Sequence, residues 1–226
     1  MKKLSKILVL SVLSIFLVAG SASATLIGVR AYEGSKPDID FDNQGTISYD
    51  ATNDILTLVA YDRNLILPDG TSYALFGPNL IVTHTVTMTV DADGNYLVGT
   101  GTMLEEVTEG SVTIDSTTYN VGDDLLVGPV IAFGWDNVDL GTNYPMFDFL
   151  FDPVTGGLVD QLIWPTTLPT GSWLQCAPGS IDWTVDFTFS NPKGDKYPVP
   201  EPATMLLLGS GLIGLAGLGR KKFFKK

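Results

Sequence analysis

Between its two ends the chain alternates apolar and polar residues with a period of two, the mark of half-buried strands rather than helices. In residues 181–189, Ile181, Trp183, Val185, Phe187 and Phe189 fall on one face and Asp182, Thr184, Asp186 and Thr188 on the other. In residues 82–90, Val82, Val86, Met88 and Val90 share a face with His84, opposite a row of threonines. Phe147, Phe149 and Phe151 alternate with Asp148 and Leu150. Further strands are predicted over 46–49, 55–61, 96–104, 111–114 and 126–135. Turn residues separate them: Asp69-Gly70, Asp93-Gly94-Asn95, Gly122-Asp123-Asp124 and Gly156-Gly157. The stretch from Val86 to Met103 reads as a hairpin closed at Asp93-Gly94-Asn95. No segment here keeps helical spacing over three turns. Many short strands with such turns predict an all-β domain over residues 25–190, an antiparallel two-sheet sandwich of jelly-roll type. Residues 191–198, with two prolines, a glycine and charges, read as a linker.

The pattern changes at both ends. Lys2, Lys3 and Lys6 precede an apolar run over residues 7–18, and Ala22-Ser23-Ala24 supplies small residues at the cleavage positions. Residues 1–24 therefore read as a secretory signal peptide cut before Thr25, which implies the Sec export machinery and signal peptidase as partners. At the other end, Val199-Pro200-Glu201-Pro202 leads into an uncharged apolar run, 203–219, and then into Arg220, Lys221, Lys222, Lys225 and Lys226. As a helix the run spans about 25 Å, enough for a thin bilayer. Its glycines are tolerated in lipid and let helices approach closely. Basic residues beside a membrane segment stay cytoplasmic, so this end predicts a single-pass inner-membrane helix with the β-domain outside. The export signal predicts the same orientation.

Pro200-Glu201-Pro202, an apolar Gly-rich helix and a terminal basic cluster, in that order at the C-terminus, resemble the PEP-CTERM sorting signal of Gram-negative bacteria. The resemblance covers residues 199–226. It implies that an exosortase, a processing enzyme within the membrane, recognises and cleaves near Val199, Pro200, Glu201 and Pro202. It also implies a final location at the cell surface or in a biofilm matrix, with exopolysaccharide as a partner. Pro200 and Pro202 cannot donate backbone hydrogen bonds and favour extended neighbours, which suits a segment read by a processing enzyme. Leu168-Pro169-Thr170-Gly171 is similar to a sortase signal but lacks its middle residue and lies far from the apolar run, so it reads as a turn.

Charge narrows the picture further. Of 13 basic residues only Arg30, Lys36, Arg63, Lys193 and Lys196 lie between the end segments, against 24 of the 25 acidic ones, Glu201 being the other. A region this acidic repels phosphate backbones and excludes nucleic acid as a partner. Asp38, Asp40 and Asp42 alternate like the first ligands of a calcium loop, although Asn43 and Tyr49 stand where its glycine and glutamate belong. Asp91, Asp93 and Asn95 offer a second set of oxygen ligands. No other cofactor is expected. Cys176, the single cysteine, allows no internal disulfide and reads as a buried apolar residue. His84 is the single histidine, so a hydrolase triad or histidine metal site has little to draw on. The expected function is non-enzymatic. The alternative is a carbohydrate-binding module or hydrolase acting on matrix polysaccharide, with Trp164 and Trp173 as glycan contacts and a carboxylate pair such as Asp136/Asp139 or Asp182/Asp186.

Overall fold

The computed structural model describes residues 26–32, 34–137, 144–152 and 154–199. The predicted signal peptide and the apolar run 203–219 lie outside these residues. Among the described residues no helix is long and apolar enough to cross a membrane. The regular structure is almost wholly strand: β1 (Asp38–Asp50), β2 (Ile55–Ile66), β3 (Ser72–Ala74), β4 (Phe76–Gly77), β5 (Leu80–Thr89), β6 (Thr102–Glu109) and β7 (Ser111–Ile114). There follow β8 (Thr117–Asn120), β9 (Asp124–Asp136), β10 (Met146–Phe151), a single helical turn α1 (Gly157–Asp160), β11 (Thr170–Gln175), β12 (Phe187–Ser190) and β13 (Lys193–Pro198). A 3-10 turn, Val29–Tyr32, precedes them.

Eight of these strands form a closed antiparallel ring in the order β1-β2-β5-β6-β9-β10-β11-β13 and back to β1. The seam is short: Ile39 pairs with Lys196 and Asp40 with Asp195. Beyond it the same edge of β1 pairs with β12, from Thr46↔Ser190 to Tyr49↔Phe187. β3 and β4 add to β2 and β5, and β7 and β8 form a separate hairpin. The domain is thus an up-and-down barrel with extra strands, not the expected two-sheet sandwich. Alternation says that one face of each strand is buried; it does not say whether the facing wall belongs to a second sheet or to the far side of the same one. Closure leaves few free edges, and eight strands enclose a space that side chains can fill.

The filling follows the alternation. Leu56, Leu58, Ala60 and Asp62 point inward from β2, Val82, His84, Val86 and Met88 from β5, and Met103, Glu105 and Val107 from β6, all buried. Phe147, Phe149 and Phe151 of β10 meet them from the far wall. β1 shifts register against β2 at Asp40/Phe41 and again between Asp42 and Gly45. The first shift leaves Arg63 unpaired in the ladder, so Asp62 and Leu65 both face the interior despite being an odd number of residues apart.

Three sequence expectations change. Residues 193–198 are not a tether but the last strand of the barrel, pairing from Gln175↔Lys193 to Thr170↔Pro198. The charges and prolines that suggested a linker are absorbed: Lys196 is fully buried, and Pro198 sits at the strand's end. At Gly194 a Cβ would overlap the carbonyl of Trp173. The best alternating segment, 181–189, is a strand only from Phe187. Asp182 Oδ1 accepts from the Thr184 amide at 3.0 Å and its hydroxyl at 2.6 Å, and this local turn breaks the strand. Ile181 and Trp183 remain buried, whereas Val185 is exposed. The hairpin pairing Val86↔Met103 is as expected, but β6 starts at Thr102 rather than near Tyr96. The turn at Asp93-Gly94-Asn95 is tied by Asp91, whose Oδ1 accepts from the amides of Asp93 and Asn95 at 3.0 and 2.8 Å.

Candidate functional site

Where the barrel hands the chain to its C-terminal segment, two ends of the domain meet. Val199 is buried, and its amide donates to the Pro169 carbonyl at 2.8 Å. Tyr197, on the outer face of β13, donates its hydroxyl to the Val29 carbonyl at 2.8 Å. Val29, Met146, Trp173, Tyr197 and Val199 form a second apolar cluster on the outside of the barrel. Asp148, outward on β10, accepts from the Gly28 and Val29 amides at 2.9 and 3.2 Å, which fixes the segment after the predicted cleavage site. Burial raises the Asp148 carboxyl above its ordinary range against these hydrogen bonds and the Arg30 charge. Of the expected sorting residues Val199 is placed here. Pro200, Glu201, Pro202, the cleavage residues Ala22 and Ala24, and the basic cluster Arg220, Lys221, Lys222, Lys225 and Lys226 lie outside the described residues.

The expected glycan contacts are not exposed. Trp164 is 1% exposed, with its Nε1 donating to Thr170 Oγ1 at 2.8 Å, and Trp173 is 5% exposed beneath the Arg30 guanidinium, 4.6 Å from its ring centroid. Both rings are large apolar surfaces that folding covers, one in the core and one in the outer cluster. Neither offers a face for sugar stacking.

The calcium expectation is redrawn rather than reproduced. The seam brings Asp38 and Asp40 to Asp195, one oxygen of each lying within 4.8 Å of the others. Asp42 stands apart and accepts from Gln44 Nε2 at 3.0 Å. The Lys36 ammonium already lies 2.6 Å from Asp38 Oδ2, so a hard cation here would compete with it.

A different set of ionisable groups is gathered inside the barrel. Asp62 of β2, His84 of β5, Glu105 of β6 and Lys196 of β13 are each 0% exposed. Strand alternation aims all four inward, and the pairing His84↔Glu105 sets two of them side by side. Lys196 Nζ contacts Glu105 Oε2, lies 3.2 Å from His84 Nδ1 and 3.9 Å from Asp62 Oδ1, and sits 5.5 Å from the Phe41 ring centroid. Phe41 and Phe151 flank His84 at centroid distances of 5.1 and 6.0 Å. Both Asp62 oxygens and His84 Nε2 have no hydrogen-bond partner among the described residues. Burial favours the neutral form of three of them: it raises the Asp62 carboxyl despite Lys196, lowers the Lys196 ammonium despite Asp62, and holds His84 well below its ordinary range, with the Lys196 charge adding to that.

Along the sequence His84 falls on an apolar strand face with nothing beside it to mark its partners. Asp62 and Glu105 carried the same signal, one acidic residue where an alternating strand should place an apolar one. Lys196 carried none, because its segment did not read as a strand.

With the geometry in place, comparison with known proteins adds one result. The PEP-CTERM protein-sorting motif matches residues 198–221. No curated protein and no solved structure matches the chain. The match begins at Pro198, the last residue of β13, so barrel and motif abut without a spacer. It covers the C-terminal segment and, of the barrel, Pro198 alone.

Proposed function

We propose that this is an exported, non-enzymatic barrel protein that is held in the inner membrane by its C-terminal segment, processed by an exosortase, and delivered to the cell surface or extracellular matrix. The sorting motif at residues 198–221 carries this reading. The N-terminal export signal gives the same orientation, with the barrel outside and the basic tail in the cytoplasm. Only Pro200, Glu201 and Pro202 separate the anchored Val199 from the apolar run. Extended chain covers at most about 3.6 Å per residue, so the four steps from Val199 to residue 203 keep the barrel wall within about 15 Å of the membrane segment. The processing enzyme therefore works on a short strip pressed between a folded domain and the bilayer. The alternative polysaccharide-binding or hydrolytic reading keeps its acidic residues but loses its two tryptophans, which are buried.

The test is to express the full chain in hosts with and without an exosortase and to measure intact masses. The expected product lacks residues 1–24 in both hosts and lacks the segment beyond the Pro200–Pro202 region only where the exosortase is present. Retention of the basic tail in both hosts would overturn the sorting assignment.

A further inference from the structure

Lys196 and Glu105 belong to strands on opposite sides of the ring, with three strands between them in either direction. They nevertheless touch, because both side chains reach into the interior and meet there. The contact is closed to bulk solvent: both residues are 0% exposed, and Asp62, His84 and Phe41 enclose it. An ion pair in such a place is a poor stabiliser, since desolvating two charges offsets most of their attraction. An amine and a carboxyl fixed in contact away from bulk solvent, with a second carboxyl beside them, are also reactants held for condensation.

We propose that Lys196 and Glu105 condense in the folded barrel into an intramolecular isopeptide bond, with Asp62 as the proton relay. The reaction needs no outside reagent. A proton passes from the Lys196 ammonium to the Glu105 carboxylate, giving a neutral amine and a carboxylic acid. The Nζ lone pair then attacks Glu105 Cδ, and an N–C bond forms. Protonated Asp62 donates to the oxygen that leaves and recovers a proton from Nζ, a C–O bond breaks, and one water departs. Amine plus acid become amide plus water, with no change of oxidation state. Burial favours the forms this needs, an uncharged lysine and a protonated Asp62. His84 stays neutral, and its Nδ1 is placed to accept the N–H of the new amide. Two buried charges disappear.

The bond would cross-brace the barrel through its centre, from the wall formed by β6 to the strand that leads into the sorting motif. The chain has one cysteine and cannot form an internal disulfide, so this is a covalent staple built from other side chains. Lys196 is three residues before Val199, so a pull on the C-terminal segment would reach the staple before it could strip β13 from the seam.

Intact mass under denaturing conditions, followed by peptide mapping, tests the proposal on the protein isolated from an exporting host. The expected mass is lower by one water than the processed sequence requires, and the Glu105 and Lys196 peptides should be recovered as one branched species. Glu105→Ala and Lys196→Ala should restore the full mass. Asp62→Ala should restore it while circular dichroism still reports the barrel. Separate Glu105 and Lys196 peptides from folded wild-type protein would overturn the proposal, whatever the variants do. So would a water loss that maps to a cyclic imide at Asp69-Gly70 or Asp93-Gly94. A joined peptide persisting in Asp62→Ala would overturn the relay role. None of these outcomes depends on sorting, because the masses of the ends and of the branched peptide are read separately.

Discussion

At one end of the barrel Tyr49, Phe133, Phe147, Trp183, Phe187 and Phe189 pack ring against ring, with centroid distances from 4.9 Å (Tyr49 to Trp183) to 6.4 Å (Phe133 to Phe147). At the other, Phe41 and Phe151 surround Asp62, His84, Glu105 and Lys196. The two ends share the same strands: β1 carries Phe41 and then Tyr49, and β2 carries Leu56 opposite Tyr49 and Asp62 opposite Phe41. The aromatic end is held by area and shape, which tolerate gradual change: each offset or edge-on ring pair contributes about 0.5 to 1.5 kcal/mol beyond burial. The polar end is held by mutually contacting polar groups closed to bulk solvent, where removing one partner strands the others. A barrel can therefore use one alternation rule along its whole length and still be robust at one end and exacting at the other.

The contrast can be broken by substitution. Lys196→Met keeps most of the apolar side chain but removes the Nζ that Glu105 and Asp62 face, and with it the proposed bond. The expected loss is about 3 to 5 kcal/mol, seen as a lower urea midpoint. Phe147→Leu at the aromatic end should cost about 1 to 2 kcal/mol, because neighbouring rings partly close the gap. If the aromatic variant proved the more damaging, the contrast between the two ends would be reversed.

His84→Leu sharpens the comparison through pH. His84 is held neutral in the fold by burial, with the Lys196 charge second, whereas the unfolded chain protonates near pH 6.5. A base with a lowered folded pKa contributes stability that is present above its unfolded value and lost as pH falls below it. Asp62 acts in the opposite sense: its raised carboxyl takes up a proton in the fold, so its contribution grows as pH falls below about 7. At pH 8 the leucine variant should be less stable by about 1 kcal/mol, the worth of one buried hydrogen bond. On acidification the wild type loses up to about 1.4 kcal/mol per pH unit through His84. The difference should therefore shrink and then change sign below pH 6.5. A difference independent of pH would show that His84 titrates normally, and would remove it from the dry cluster.

Much of the barrel was legible strand by strand. The alternation at Val82, His84, Val86 and Met88 and at Phe147, Phe149 and Phe151 predicted both the strand and the buried face, because a pleated chain must bury every second side chain. The segment 181–189 shows where the rule fails. Its alternation is as regular as any, yet Asp182 offers its own backbone a local turn that competes with the ladder. Residues 193–198 fail in the opposite direction. Gly194 and Lys196 are poor strand residues by composition, and they sit in a strand because its partners need a backbone at close approach and a cation in the core.

The chemistry divides in the same way. The sorting motif is a linear string, read in order by whatever recognises it, so local sequence was enough to find it. Calcium ligands and glycan contacts depend on three-dimensional placement, which spacing along the chain does not fix. The barrel seam replaced Asp42 with Asp195, and the core and outer cluster covered Trp164 and Trp173.

The sequence by itself determined the strand-forming middle, the acidic exterior, and the address at the C-terminus, because each depends on neighbours along the chain. Only the tertiary structure decided that the strands close on one another, that residues 193–198 complete the ring, and that Asp62, His84, Glu105 and Lys196 share one buried space. Closure joins strands that are far apart in the chain. The side chains that meet inside it are selected by register and barrel curvature, which no local pattern records.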